Sequence, residues 1–178
     1  MKIRIRYAVS FVMLLAVSTV GLAQEVKTDY DHHADFSNYK TYSWAKVETS
    51  NSLWDSRVKE AVDKELQAKG LTQMPSGGDI SLVAIGTTQE KPTLETYYNG
   101  GMGGWGWRGF GGDGMATTTV ENYKEGTLVV DMFDANTKKL LWRGNATDTL
   151  SDKSDKNIKK LEKSVEKMFK DFPPKSKG

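Results

Sequence analysis

Residues 127–150 read TLVVDMFDANTKKLLWRGNATDTL, and in this stretch two apolar runs flank a short polar centre. The pattern predicts a β-hairpin. With a three-residue loop at residues 136–138, Asp131 lies opposite Arg143 on one face of the hairpin. The other face is then apolar, formed by Leu128, Val130, Met132, Leu140 and Trp142. We therefore expect one face to belong to a protein core and the other to carry a pair of opposite charges.

Two shorter strands are predicted near the other end of the chain. Residues 26–31 alternate between apolar and charged side chains, and residues 41–47 read TYSWAKV. Both patterns are typical of half-buried strands. The connection between them, residues 32–40, is polar and contains two aromatic side chains, so we expect a surface loop anchored by Phe36 and Tyr39.

A helix and a central strand follow. Residues 53–69 repeat apolar side chains at intervals of three and four, and Ser52 with Asp55 three positions later is a capping pair for this helix. Residues 80–86, ISLVAIG, are almost continuously apolar, which indicates a strand covered on both faces. The order strand, helix, strand favours a right-handed crossover and predicts that residues 80–86 run parallel to residues 41–47.

The predicted meander is built from three more segments. Pro92 interrupts the extended pattern, which resumes over residues 93–98. Residues 115–123 are rich in threonine and predict the next strand. A turn at residues 124–126 then leads into the hairpin.

A second amphipathic helix is predicted over residues 153–172. Asp152 or Ser154 serves as its N-cap, and two prolines follow it. Its apolar stripe consists of Ile158, Leu161, Val165, Met168, Phe169 and Phe172. We expect this helix to pack on the same face of the sheet as the first.

The start of the chain has the pattern of an export signal. Residues 1–6 are rich in basic side chains, residues 7–20 are apolar, and small residues at 21–23 lead to a polar position. An apolar run of 14 residues is shorter than the roughly 20 that cross a bilayer. We therefore predict a signal peptide over residues 1–23 and a mature chain of residues 24–178, in which no other stretch is long and apolar enough to span a membrane.

Composition excludes several classes of function for the mature chain. Without the three basic residues of the leader, 22 basic residues face 23 acidic ones, so bulk charge does not favour a nucleic-acid partner. The length of 155 residues suits a single domain. No cysteine is present, which excludes disulfides, thiolate catalysis and cysteine-ligated zinc. It also predicts a periplasmic or envelope protein that is not lipid-anchored.

Residues 99–114 form an insertion, NGGMGGWGWRGFGGDG, with nine glycines. Glycine costs the most entropy to order, so the sequence predicts a flexible loop. Its spacing also matches a dinucleotide fingerprint at residues 101–106, but the glycines continue where a helix is required. The loop's large side chains, Trp105, Trp107, Arg108 and Phe110, are the candidate contacts to a partner. The alternative is that they pack loosely on the domain's own surface.

The chain resembles the bacterial family catalogued as domain of unknown function 4136. Three pieces carry the resemblance: DYD at residues 29–31 followed by ADFSNYKTYSW at residues 34–44; DKELQAKG at residues 63–70; and LVVDMFD followed by KLLWRG in the hairpin. The resemblance implies an α+β domain and an exported, often lipid-anchored envelope protein, with no established reaction. Similar proteins often have glycine where Lys138 stands, and the lipid-acceptor cysteine of the family is absent here.

Candidate chemical groups are few. His32 and His33, near Asp29, Asp31 and Asp35, could supply metal ligands only if the backbone bends, because adjacent side chains of an extended chain point to opposite sides. The alternative is an exposed polar loop. No serine lies in a G-x-S-x-G elbow. We therefore predict no catalytic residues, no cofactor and no metal.

These observations predict an α+β fold with a mixed, mainly antiparallel sheet of five or six strands and two amphipathic helices packed on one face. They predict a non-catalytic, exported interaction or structural module of the cell envelope. Its partner is an unknown envelope protein, a glycan or a membrane surface. The alternative is a hydrolase acting on envelope glycans or lipids through carboxylates that the fold brings together, since the spacing of such pairs is spatial.

Overall fold

The computed structural model describes residues 24–98 and 116–174. The predicted leader and the glycine-rich insertion lie outside these residues. The elements in chain order are β1 (Glu25–Tyr30), a 3₁₀ turn (Phe36–Asn38), β2 (Thr41–Glu48), α1 (Ser52–Ala68), β3 (Thr72–Gln73), β4 (Ile80–Tyr98), β5 (Ala116–Asp134), β6 (Leu140–Thr149) and α2 (Ser154–Phe169). No helix among the described residues has the length and apolarity needed to cross a bilayer.

Six strands form one sheet in the order β1-β6-β5-β4-β2-β3. β2 pairs in parallel with β3 and with β4, and the other neighbours are antiparallel. The parallel pairing of β2 and β4 across α1 confirms the predicted crossover. The fold is therefore α+β, with a mixed and mainly antiparallel sheet, as the sequence predicted. β3, with two residues, was not predicted.

The hydrophobic core lies between the two helices and one face of the sheet. α1 contributes four buried side chains, Val58, Ala61, Val62 and Leu66. α2 contributes Val165, Met168 and Phe169 from the predicted stripe. The sheet contributes its largest buried side chains at Tyr42, Ile80, Leu82, Val130, Met132 and Trp142. A Cβ at Gly144 would collide with Met168, so glycine at this position lets α2 approach β6 closely.

The hairpin between β5 and β6 differs from the prediction at its loop. Five residues, 135–139, connect the strands, and a register shift between Met132 and Phe133 pairs Phe133 with Leu140. Leu141 is the extra residue of this bulge, so Leu140, which precedes it, lies on the face opposite to the predicted one, whereas Trp142 and Arg143 keep their predicted faces. Leu141 is therefore buried and Leu140 is 37% exposed, so the placement of Leu140 on the core face was wrong. Asp131 pairs with Arg143, as predicted.

The helix ends also depart from the predicted caps. Asn51 caps α1, because its Oδ1 accepts the N–H of Leu53 at 3.0 Å, so Ser52 is inside the helix. At α2 the preceding position is Lys153, whose side chain makes no capping hydrogen bond. The chain entering α2 is held instead by Asn157, whose side chain bonds both the N–H and the C=O of Ser151 at 2.7 Å.

The second face of the sheet is not covered by either helix. The prediction that β4 is covered on both faces was therefore wrong for the described residues. Val83, Ile85 and Val129 lie on this face and are half-buried. They shield one another across neighbouring strands, which explains an apolar run without a second layer of helices.

Candidate functional site

β4 and β5 are the longest elements, with 19 residues each. They pair without a break from Ile80 opposite Asp134 to Tyr98 opposite Ala116. The predicted turn at residues 124–126 was wrong, because these residues continue the ladder opposite residues 88–90. A Cβ on Gly126 would lie 2.9 Å from the Leu150 side chain, which gives this glycine a packing role instead of a turn role.

The predicted interruption at Pro92 was wrong for a related reason. Pro92 pairs opposite Asn122 within β4. The neighbour of β4 on its other side, β2, has already ended at Glu48, which pairs with Ile85. A proline lacks the N–H that a central strand needs, but an edge strand tolerates it. The extended pattern therefore continues through Pro92.

The outer parts of these two strands pair only with each other among the described residues. β6 makes its last backbone bond to β5 from the N–H of Leu150 to the C=O of Lys124, at 2.7 Å. Beyond it, residues 91–98 and residues 116–123 form eight cross-strand pairs. We call this two-stranded ribbon the arm. At about 3.3 Å per residue, it extends the sheet by about 25 Å.

Two ion pairs cross the base of the arm. Lys91 Nζ lies 2.5 Å from Glu125 Oε1, and Lys124 Nζ lies 4.0 Å from Glu90 Oε1. The hydrogen bond to Glu125 raises the pKa of Lys91. Exposed pairs of this kind add little stability. Opposite charges that face each other across the strands do favour the observed register.

The two edges of the arm differ in chemistry. The β4 edge carries Pro92 and the charged residues at its base, which are features that discourage a further strand. The β5 edge, residues 116–123, reads ATTTVENY, with one charge and no proline. Val120 on this strand is 58% exposed. The β5 edge can therefore accept an extended segment of another chain through backbone hydrogen bonds.

The predicted partner contacts Trp105, Trp107, Arg108 and Phe110 lie outside the described residues. Tyr98 pairs with Ala116, so the segment that carries these four side chains begins and ends at the far end of the arm. Sequence analysis identified this segment but missed the arm that presents it. The missed signal is the enrichment in threonine and tyrosine, which favour strands, on both sides of the insertion.

The histidine pair lies in the loop after β1. The His32 ring packs edge to face on Tyr30, with the ring centroids 4.3 Å apart. The N–H of His33 donates to Asp31 Oδ1 at 3.0 Å, and Lys139 Nζ lies 2.6 Å from Asp31 Oδ2. Within residues 24–98 and 116–174, no group of three histidine or carboxylate side chains could hold a metal ion. The alternative of a metal site at this pair therefore finds no geometric support.

Several carboxylates hold loops and strand ends in place. Asp134 accepts the N–H of Thr137 at 2.7 Å and the hydroxyl of Tyr39 at 2.9 Å, and these bonds lower its pKa to about 2. Asp79 accepts the N–H groups of Lys40 and Thr41, at 3.0 and 2.9 Å, which lowers its pKa. Sequence analysis did not identify either role, because the bonds of Asp79 to residues 40 and 41 and the bond of Asp134 to Tyr39 join distant segments.

Two further acidic side chains bridge elements. Asp63 on α1 accepts the hydroxyl of Tyr42 and the indole N–H of Trp44, both at 2.8 Å, which ties the helix to β2. Asp131 accepts two parallel hydrogen bonds from Arg143, at 2.6 and 2.7 Å. A bidentate pair of this kind is strong and geometrically specific. The predicted cross-strand ion pair is confirmed.

These features define a class, a compact α+β domain from which one long β-hairpin extends. The chain matches the family described as "Domain of unknown function (DUF4136)" over residues 26–174. It belongs to this family, which confirms the resemblance. The comparison with curated proteins yields no match.

Solved structures share parts of this architecture. A PDZ domain protein from Parabacteroides distasonis ATCC 8503 superposes with a TM-score of 0.57 at 16% identity, over 87% of this chain and 37% of that protein. This likeness concerns the fold alone, and the chain spans little more than a third of that protein's length. The PelC dodecamer from Paraburkholderia phytofirmans is more distant, with a TM-score of 0.48 at 12% identity, over 83% of this chain and 95% of that one.

Proposed function

We propose that this chain is a non-catalytic, exported module of the cell envelope that binds a protein partner at the arm. The partner adds an extended segment to the β5 edge, residues 116–123. The observation that carries this proposal is the open edge of a ribbon with no further strand beside it in the described chain. An isolated two-stranded ribbon is only marginally stable in water, so a bound strand would order it.

The envelope address rests on sequence. The basic start, the apolar run and the small residues before position 24 are the pattern of a cleaved export signal. The absence of cysteine favours a module that is held at the envelope by its partner instead of by a lipid. The residues Trp105, Trp107, Arg108 and Phe110 stay a prediction, as additional contacts beyond the end of the ribbon.

The carboxylates support a non-catalytic role. A general acid that works near neutral pH needs a raised pKa. Asp31, Asp35, Asp79 and Asp134 have lowered pKa values, because hydrogen bonds from neighbouring groups stabilise their charged forms. A turnover screen of the purified protein on envelope glycans and lipids tests the hydrolase alternative. Turnover that disappears on one acid-to-amide change would favour the enzyme.

Site-specific photo-crosslinking in the native host tests the binding surface directly. A photo-crosslinking amino acid replaces Val120 in one strain and Leu53 in another. The two side chains are comparably exposed, at 58% and 67%, but Leu53 lies on α1, away from the arm. We expect a discrete adduct of one defined mass from position 120 and none from position 53. Equal labelling at both positions would remove the β5 edge from the proposal.

A pair of deletions separates the ribbon from the insertion. Replacing residues 99–115 by an Asn-Gly turn keeps the described part of the ribbon, whereas joining the paired residues Glu90 and Lys124 through the same turn removes the whole arm. We expect both proteins to keep nearly the same melting temperature, because neither deletion touches the buried core. The adduct from position 120 should persist in the first protein, with reduced yield. The second protein lacks position 120, so its partner binding is measured by co-purification instead, and we expect it to be lost. Loss of the adduct from the first protein would place the contact on the insertion instead of the ribbon edge.

A further inference from the structure

A cavity of about 290 Å³ lies between the N-terminal parts of α1 and α2, on the helix-covered face of the sheet. Its apolar lining consists of Trp54, Val58, Leu128, Ala146, Leu150 and Leu161. The cavity is distinct from the arm and from the loop carboxylates described above. It opens at the end of the core where β6 stops and the arm begins.

Small residues of the sheet line this space, among them Gly86, Gly126 and Ala146. The side chains of Thr49 and Leu150 pack directly over the two glycines, and the cavity lies beside them. Farther along the same face, the sheet carries Tyr42, Met132 and Trp142, whose side chains fill the space under the helices. Since close packing is the rule in protein interiors, a cavity of this size marks a position where the two helices are not in full contact with the sheet.

The three polar side chains that α2 contributes to the lining are bonded to the protein itself. Lys160 Nζ lies 3.0 Å from Asp148 Oδ1 and 2.5 Å from the C=O of Thr149, so its charge is neutralised locally. The Ser164 hydroxyl donates to the C=O of Lys160 at 2.8 Å, and the Asn157 side chain is bonded to Ser151. Water needs two to four polar partners to be stable in a cavity. These groups offer it few, so the interior favours an apolar guest.

We propose that this cavity binds the alkyl chain of an amphiphile, with the polar end of the molecule at the opening. An apolar cavity of roughly 150 Å³ is large enough to bind benzene, and the volume here is about twice that. The Trp54 ring supplies a flat apolar wall, and the Arg57 guanidinium lies over this ring at 4.7 Å from its centroid. Lys160 and Asp148 already neutralise each other, so recognition lies in the chain and not in the charge of the headgroup.

Isothermal titration of the purified protein with 1-decanol tests the proposal, with sodium decanoate as the second probe. We expect saturable one-to-one binding of both probes, with affinities that agree within about threefold. The filling variant is Ala146→Leu, which places a larger side chain into the cavity. It should weaken decanol binding at least about tenfold, while the melting temperature stays equal or rises. The matched control, Ala45→Leu, makes the same change at an exposed position of β2 and should bind like the parent.

Methyl NMR of the parent protein makes the test independent of the variant's folding. Decanol should shift the methyl signals of Val58, Leu128, Leu150 and Leu161 and leave those of Val165, which lies deep in the core, in place. Shifts spread over the whole protein, or no saturable binding, would overturn the proposal. So would unchanged binding by a folded Ala146→Leu protein, or a preference above about tenfold for decanoate, which would assign recognition to the Lys160 charge.

Discussion

The two halves of the β4–β5 hairpin have the same backbone pairing but opposite surroundings. In the half that the helices cover, Leu82, Ala84, Val130 and Met132 are fully buried, and β2 and β6 flank the pair. In the arm, each strand has one neighbour among the described residues, and Val120 is 58% exposed. Burial of apolar surface is the main source of stability, and each hydrogen bond adds a smaller net free energy. The covered half therefore holds the fold together, and the arm contributes little to its stability.

The largest expected effect on the free energy of unfolding comes from a substitution in the core of the covered half. Phe169 is fully buried, with its ring stacked on Trp142 at a centroid distance of 4.9 Å. Phe169→Ala removes this contact and leaves a cavity, so we expect the free energy of unfolding to fall by about 3–5 kcal/mol. Urea denaturation followed by circular dichroism measures the loss.

The matched control lies in the arm. Val120→Ala also shortens an apolar side chain, but it removes few buried contacts. The free energy of unfolding, measured by urea denaturation, should therefore change by less than about 0.5 kcal/mol. If Val120→Ala destabilised the protein as much as Phe169→Ala, the arm would have to be packed against something in the isolated chain. The division into a stabilising half and an arm that adds little stability would then be wrong.

A smaller effect on stability is expected in the covered half, on the face of the sheet that points away from the helices. Asp131 is buried beneath its bidentate partner Arg143, whose side chain is 53% exposed. Asp131→Ala leaves the guanidinium without its acceptor. Allowing for solvent screening of the arginine, we expect a loss of about 1–2 kcal/mol, measured by urea denaturation. The exposed pair of Glu25 and Lys27 provides the control, since Lys27→Ala should leave the urea midpoint unchanged.

An outcome in which Asp131→Ala is neutral would mean that water replaces the carboxylate without cost. The bidentate geometry would then contribute to the strand register without adding stability. The double variant Asp131→Ala with Arg143→Ala distinguishes the two contributions. We expect it to recover part of the loss, because no charge is left without a partner.

Most of the covered half could be predicted from sequence, because local periodicity reports burial. The spacing of apolar residues in α1 and α2 gave the correct core face for both helices, and the strand-helix-strand order gave the parallel pairing of β2 and β4. These predictions held because side-chain pattern and tertiary packing agree there. The resemblance in residues 29–44 and in the β5–β6 hairpin gave the family independently of this reasoning.

The arm could not be predicted, because the signals there are ambiguous without neighbours. Pro92 marks a break in a central strand but is tolerated at an edge, and Gly126 marks a turn unless a side chain such as Leu150 needs its space. The bulge that exchanges Leu140 and Leu141 has the same cause, since its register depends on the partner strand. The sequence predicts which residues favour a strand, but the position of the sheet edge depends on which strands lie beside them in the folded protein.

The pH dependence of stability tests the end of the covered half, where a loop joins β5 to β6. Burial, followed by the hydrogen bond to Asp134, raises the pKa of Tyr39 from 10.0 to about 12, and the same bond contributes to lowering the pKa of Asp134 from 3.8 to about 2. The raised pKa of Tyr39 in the folded protein contributes stability that is complete below pH 10 and is lost as pH rises towards 12. The lowered pKa of Asp134 contributes stability that is complete above pH 4 and is lost as pH falls towards 2.

Tyr39→Phe removes the hydroxyl and leaves the ring. The stability difference between parent and variant should be constant between about pH 4 and pH 10 and should shrink beyond both limits. Urea midpoints measured across this range provide the test. A difference that does not change above pH 10 would show that Tyr39 ionises as it does in water. Val120→Ala serves as a control whose difference from the parent should not vary with pH.

The smallest expected effect on stability lies in the loop between β5 and β6, residues 135–139. Lys138 has φ of 61°, the left-handed region that costs an ordinary residue energy and costs glycine little. Lys138→Gly relieves this strain but also increases the freedom of the unfolded chain, so we expect a net stabilisation of about 0.5 kcal/mol. Asn136→Gly, at an exposed position of the same loop without positive φ, has only the second effect and should destabilise. Urea midpoints that shifted in the same direction for both variants would mean that the loop relaxes in solution and that the bulge at Leu141, not the turn, sets the register of β6.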